Sequence, residues 1–139
     1  MKVEELMVGD LVYYSYANHF VTKVIDVCSH GEEPFIRCKR NEKDNLYKQD
    51  QLEDFHVGIL RPIILTEKIL KKNGFLVDSN GIFYLKENLK FGIKKDMDYG
   101  YWFINRADNY KEYIGTCDFV HELQHILKFF YKIEKEIIL

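Results

Sequence analysis

The sequence predicts an α+β fold rich in strands: an N-terminal small SH3-like β-barrel, a short connecting helix, and a C-terminal antiparallel sheet with one packed helix. Three observations carry this expectation. Aromatic residues make up 15% of the chain, with ten Tyr and ten Phe, a composition that suits half-buried strands and opposes disorder. Short β-prone runs separated by turn-forming segments fill the first half. Helix signals are confined to two stretches, residues 65–75 and 119–130. A chain of 139 residues makes one domain of ordinary size or two small ones. We place the boundary between residues 1–62 and residues 63–139, two halves that could also pack as one compact unit.

In the first half, Gly9-Asp10 punctuates the entry, and residues 11–14, 20–27, 35–39 and 46–48 read as short strands. Gln51-Leu52-Glu53 reads as a closing turn. Four or five short strands in this space suggest the SH3-like barrel, which is an architecture and not an activity.

Residues 65–75, LTEKILKKNGF, carry the best-specified local structure. Thr66 is a good N-cap, Leu65 and Leu70 are placed as partners of a hydrophobic staple, and Glu67 suits the positive end of the helix dipole. Gly74 suits the left-handed position after the helix, with Phe75 closing back on Leu70. The prediction is a helix over 67–73 acting as a plug between two sheets. Residues 75–77 and 82–85 then form a hairpin around Asp78-Ser79-Asn80-Gly81, since Asn-Gly accepts the positive φ of tight turns. Residues 89–93 and 101–104 make a second pair around a turn near 98–100, and residues 110–114 another strand. Thr116 is expected to cap a long helix over 117–131, and residues 137–139 to end the chain as a short edge strand.

Composition excludes several function classes. A net charge of −2 provides no global attraction to nucleic acid or to an anionic membrane. There is no apolar run of membrane-spanning length, and the acidic start MKVEELMVGD does not read as a signal peptide. These features predict a cytoplasmic protein without a membrane partner. Cys28, Cys38 and Cys117 contain no C-x-x-C pair and read as reduced thiols, with Cys38 a small core residue. No Gly-rich phosphate loop, G-x-S-x-G elbow or dinucleotide fingerprint occurs.

The sharpest motif is HELQH, with His121, Glu122 and His125 at the spacing of the zinc-protease helix. Two imidazoles four positions apart share a helix face and can hold Zn²⁺, while the glutamate polarises the metal-bound water. His121 and His125 are therefore the candidate metal ligands, and zinc the candidate cofactor. The apolar stripe Phe119, Val120, Leu123, Ile126, Leu127 and Phe130 argues the other way. It phases the helix so that both histidines face water beside Lys128 and Lys132. A third ligand would have to come from upstream, from His19, His30, His56 or a cysteine, and their spacing recommends none of them. Our expectation is therefore no bound cofactor.

Three other groupings carry weaker chemistry. Cys117 and His121 stand four apart and could compose a Cys-His pair, but without an orienting third group. Asp96 and Asp98 lie in a loop with Lys94 and Lys95 and read as turn residues rather than acid and base. Arg37, Lys39, Arg40 and Lys43, near Tyr13, Tyr14, Tyr16 and Phe35, could form a small nucleic-acid surface, or simply a solvated strand edge.

Three segments together resemble one family. They are the opening MKVEELMVGDLVYY, the middle PIILTEKILKKNGF and the closing FVHELQHILKFFYKIEKEIIL. The chain resembles short uncharacterised proteins from gut Bacteroidetes and their phages, with Lys68 standing where the family pattern has glutamate. In those relatives the last helix often reads H-Q-L-Q-N, which implies that HELQH arose here on a structural helix. The family carries no established activity, so the resemblance transfers no catalytic residue. The expected function is a non-enzymatic accessory or interaction protein of a mobile element or its bacterial host, with a protein as partner. The alternatives are a nucleic-acid-binding module in the N-terminal barrel and a minimal zinc hydrolase on the HELQH helix.

Overall fold

The computed structural model of the chain describes residues 5–14, 20–28, 35–40, 52–97, 100–106 and 112–139. The chain is α+β and mostly strand, with two antiparallel five-stranded sheets and few helices. It divides into two compact units, Met1–Ile63 and Ile64–Leu139.

The first unit contains β1 (Leu11–Tyr14), β2 (Phe20–Cys28), β3 (Phe35–Arg40), β4 (Leu52–His56), a 3-10 turn (Val57–Ile59) and β5 (Leu60–Pro62). The sheet order is β4-β3-β2-β1-β5, so the first strand ends in the interior, between the second and the last. Alternation places the core. Ile36 and Cys38 point inward from β3 to meet Val12, Val24, Phe55 and Leu60, while Arg37 and Lys39 point outward. Asp10, at the entry turn, is buried, and its carboxylate accepts the Met7 N–H at 2.7 Å.

Leu52 and Glu53, read from sequence as part of a closing turn, instead begin strand β4, and Gln51 lies outside the described residues. The run Leu52 to His56 is mostly polar because an edge strand needs only one inward residue, here Phe55. Pairing comes from across the sheet: Asp54 sits opposite Arg37 and accepts both arms of its guanidinium, at 2.7 and 3.1 Å. The strand expected at 46–48 lies outside the described residues.

The second unit opens with α1 (Glu67–Lys72), where the sequence predicts a helix over 67–73. Its ends follow the local chemistry. The Ile69 N–H donates to Thr66 Oγ1, and Glu67 pairs with Lys71 one turn on. At the other end Gly74 takes φ +87°, and the N–H groups of Gly74 and Phe75 close back on Lys71 and Leu70 in the Schellman pattern.

The sheet then runs as a meander, β6 (Leu76–Val77), β7 (Ile82–Leu85), β8 (Asn88–Lys95), β9 (Tyr101–Asn105) and β10 (Glu112–Thr116), in the order β10-β9-β8-β7-β6. In the β6–β7 turn only Gly81 has positive φ, and Asp78 does the remaining work by accepting the N–H groups of Asn80 and Ile82. Phe83, Ile93 and Phe103 align across one face and are buried. That face meets the C-terminal aromatic residues, with Phe103 4.8 Å from Phe130 between ring centroids and Phe91 5.7 Å from Tyr131. On the opposite face Gly92 lets two side chains approach: a Cβ there would lie 2.6 Å from Ile82 Cγ2 and 2.9 Å from Arg106 Cδ. The Arg106 guanidinium continues over the Tyr84 ring and pairs with Asp78 at 3.1 Å.

The last helix, α2 (Val120–Ile126), starts later than expected, because residues 112–116 are paired with β9 and Thr116 closes β10. It passes into a π turn (Leu127–Tyr131). The wider turn rotates successive residues by a smaller angle, which brings Tyr131 into the buried stripe and leaves Phe130 partly exposed. Lys132 ends the turn at φ 57°. No strand forms at 137–139; instead the Asn73 side chain pairs with the backbone of Ile138.

Gly92→Ala is expected to destabilise the protein by about 1–3 kcal/mol, because its Cβ would overpack against Ile82 and Arg106. Urea melts against wild type measure this. An unchanged midpoint would show that Arg106 can leave its place at no cost.

Candidate functional site

The HELQH segment occupies the first turns of α2, and its environment differs from the expected solvated face. His121 is only 4% exposed. Its ring stacks on Phe119, with centroids 5.7 Å apart and planes 7° apart, and meets His125 edge-on at 5.9 Å. His125 is half-buried and in turn touches the Phe129 ring at 6.4 Å. Helical phasing placed His121 with the lysines because periodicity gives an angle about the helix axis and not what covers that side. Phe119 is the N-cap, with extended backbone at φ −126° and ψ 155°, and its ring covers the histidine instead.

Glu122, the residue that would act as general base, is engaged elsewhere. Its Oε2 accepts the backbone N–H groups of Asp118 at 2.7 Å and Phe119 at 3.1 Å. This is half of a capping box, the reaching-back glutamate; Phe119 has no side-chain acceptor to supply the other half. Burial raises the Glu122 carboxyl above its ordinary range. The two backbone donors oppose the shift, and the Asp118 charge adds to it.

The remaining groupings separate on the same evidence. Cys117 is buried, and its thiol is pushed well up by that burial and by the neighbouring Glu122 and Asp118 charges. A thiol held protonated is a poor nucleophile for the Cys117–His121 pair. Among the upstream ligand candidates, His19 and His30 lie outside the described residues. His56 is in the first unit, where its Nδ1 accepts the Gly58 N–H at 3.2 Å. Among the described residues no three His, Cys, Asp or Glu side chains gather as a metal-holding group. Asp96 accepts the Trp102 indole N–H at 2.9 Å, and Asp98 is outside the described residues.

On the first unit, Arg37 has an acid opposite it on each neighbouring strand, Asp26 on β2 and Asp54 on β4. The guanidinium is held by Asp54, which itself is lowered below the ordinary carboxylate range by that bond. Lys43 and Tyr16 lie outside the described residues, and nothing is described of the side chains of Tyr14 and Arg40.

Sequence reasoning missed two engaged groups: Glu122 as a cap, and Asn73, whose buried carboxamide joins α1 to the chain's end. The first was readable, because glutamate three positions after a cap is itself a helix-start signal. The second depends on contacts between residues far apart in sequence.

Two variant series test this assignment. Glu122→Ala should cost about 1 kcal/mol through loss of the cap, whereas Glu122→Gln keeps an oxygen acceptor. A carboxyl raised in the folded state contributes stability that is full below its unfolded value, near 4.5, and is lost as pH rises through the folded value. Wild type should therefore lose stability relative to Glu122→Gln as pH rises from that point toward neutrality; a difference independent of pH would refute the burial effect. Leu123→Ala should cost roughly 2–5 kcal/mol, and His121→Ala more than His125→Ala. Equal tolerance of both histidine variants in urea melts would mean that His121 does not pack as described.

No family model matches the chain, and no curated protein or solved structure matches it.

Proposed function

We propose that the protein is a non-enzymatic accessory protein of a mobile element or its bacterial host. It acts in the cytoplasm by binding another protein, and it belongs to the family its three motifs resemble. The observation that carries the non-enzymatic reading is the state of Glu122. A zinc hydrolase needs that carboxylate facing a metal-bound water, and here it accepts two N–H groups of its own helix start. The burial of His121 against Phe119 supports the same reading, since a ligand face must be open to metal and substrate.

The proposal includes an SH3-like barrel in the first unit. Support comes from the strand order β4-β3-β2-β1-β5, which sets the first strand between the second and the last, and from the 3-10 turn joining β4 to β5. The nucleic-acid alternative is disfavoured by the acids flanking Arg37, because phosphate would have to displace Asp54 from a two-armed pair. Among the described residues no helix is long and apolar enough to cross a membrane.

The decisive measurements are metal content and oligonucleotide binding. The purified protein is expected to carry well below one zinc per chain, whereas about one zinc, lost in both His121→Ala and His125→Ala, would overturn the reading without a metal. Single- and double-stranded oligonucleotides are expected to bind no more tightly than roughly micromolar. A tight, salt-sensitive shift removed by Arg37→Glu would replace the protein-partner reading with the nucleic-acid one.

A further inference from the structure

The Asn73 side chain is 1% exposed and sits where α1 ends. Its Nδ2 donates to two carbonyl oxygens, Ile69 O and Ile138 O, each at 2.8 Å, and its Oδ1 accepts the Ile138 N–H at 2.9 Å. The carboxamide thus pairs with both backbone groups of Ile138, as a neighbouring strand would. Two lysines complete the attachment: Lys135 Nζ donates to Asn73 O at 2.7 Å, and Lys72 Nζ to Leu139 O at 2.6 Å. Ile137 is buried between these bonds in sequence, while Ile138 is largely exposed. Residues 133–139 have no helix or strand of their own, so this latch is what the segment's backbone bonds to on α1.

The latch residue is followed by glycine. An Asn-Gly pair is chemically labile because the unhindered glycine nitrogen can attack the asparagine amide carbon. From these two facts we propose that Asn73 is a modification site, a deamidation switch whose conversion releases the C-terminal strap, residues 133–139. The Gly74 backbone nitrogen attacks Asn73 Cγ and loses its proton, a C–N bond forms, and Nδ2 leaves as ammonia. Water then opens the succinimide at either carbonyl to give aspartate or isoaspartate. The net change is amide plus water to acid plus ammonia.

The folded state restrains the first step. The Gly74 N–H is bonded to Lys71 O, and at the Asn73 ψ of 14° the Gly74 nitrogen eclipses the Asn73 nitrogen rather than Cβ, so the ring cannot close without local opening. The product, in turn, cannot rebuild the latch. A carboxylate in place of the carboxamide has no donor for Ile69 O or Ile138 O, and it would face two carbonyl oxygens at hydrogen-bond distance. The Lys135 ammonium is bonded to the main-chain oxygen of Asn73, not to the carboxamide. A second Asn-Gly pair in the same chain, Asn80-Gly81, provides an internal reference: Asn80 is exposed in the β6–β7 turn.

The test combines ageing with hydrogen exchange read by mass spectrometry on the full chain. In protein aged under native conditions at mildly alkaline pH, peptide mapping should show conversion at Asn80 well ahead of Asn73, and unfolding in urea should bring the two sites to similar rates. In Asn73→Asp, exchange of the peptide covering 133–139 should rise at least about tenfold while the peptides of β7 to β9 stay protected. If Asn73→Asp does not fold, aged protein fractionated by ion exchange, with the fraction converted at Asn73 identified by peptide mapping, gives the same comparison. The proposal is overturned if Asn73 is not converted even in urea, if it converts as fast as Asn80 in the folded protein, or if converted molecules keep wild-type exchange over 133–139.

Discussion

The second unit depends on two carboxylates at the junction of β10 and α2. Asp118 receives the Tyr101 N–H on Oδ1 at 3.0 Å, and its main-chain oxygen receives the Leu65 N–H at 2.8 Å. Glu122 receives the N–H of Asp118 itself. One residue therefore ties the start of β9 and the approach to α1 to the first turn of α2. Gly100 permits this closeness, because a Cβ there would overlap the Asp118 carboxylate. The oxygens of the two carboxylates satisfy backbone donors at the start of a strand and the start of a helix. Truncating either carboxylate would leave part-buried backbone donors without these acceptors.

This junction also explains why a zinc signature stands on a helix with another use for it. The third helical position after a cap favours glutamate, because the side chain can reach back to the free N–H groups. A His one position earlier and another three positions later complete H-E-x-x-H on any such helix. The motif specifies metal chemistry only when its glutamate faces the same cleft as both imidazoles. In this chain Glu122 turns to the helix start, and His121 lies under Phe119.

Local signals were the most legible in the sequence. Thr66, Gly74 and the Asp78–Gly81 turn each act within a few residues of themselves, and the structure uses them as their chemistry suggests. The strands β1, β2 and β3 were legible for the same reason, as alternating runs with aliphatic inward positions. What could not be read depended on distant partners. Strand β4 is polar and is held opposite β3 by Arg37 and Asp54, seventeen positions apart. The burial of His121 comes with the Phe119 ring stacked on it, a contact that helical spacing does not announce, and the exchange of Phe130 for Tyr131 follows from a π turn that no periodicity announces.

Six polar side chains of the second unit are engaged in holding the fold. Asp78 holds a turn and Arg106, Asp96 holds the Trp102 indole, Asp118 and Glu122 hold backbone, and Asn73 holds the last segment. Tyr131 departs from this pattern: its hydroxyl is buried with no hydrogen-bond partner among the described residues, and burial pushes its ionisation far up. Leaving a hydroxyl unsatisfied costs on the order of 1–3 kcal/mol. The ring offsets that cost by packing edge-on against Phe75 and Phe91 and tilted against Phe103, contacts that join the segment after α1, the sheet and the π turn. A protonated phenol sealed among aromatic rings can neither donate to a substrate nor accept from one. Packing accounts for its place in the fold, as it does for His121 under Phe119 ten positions earlier.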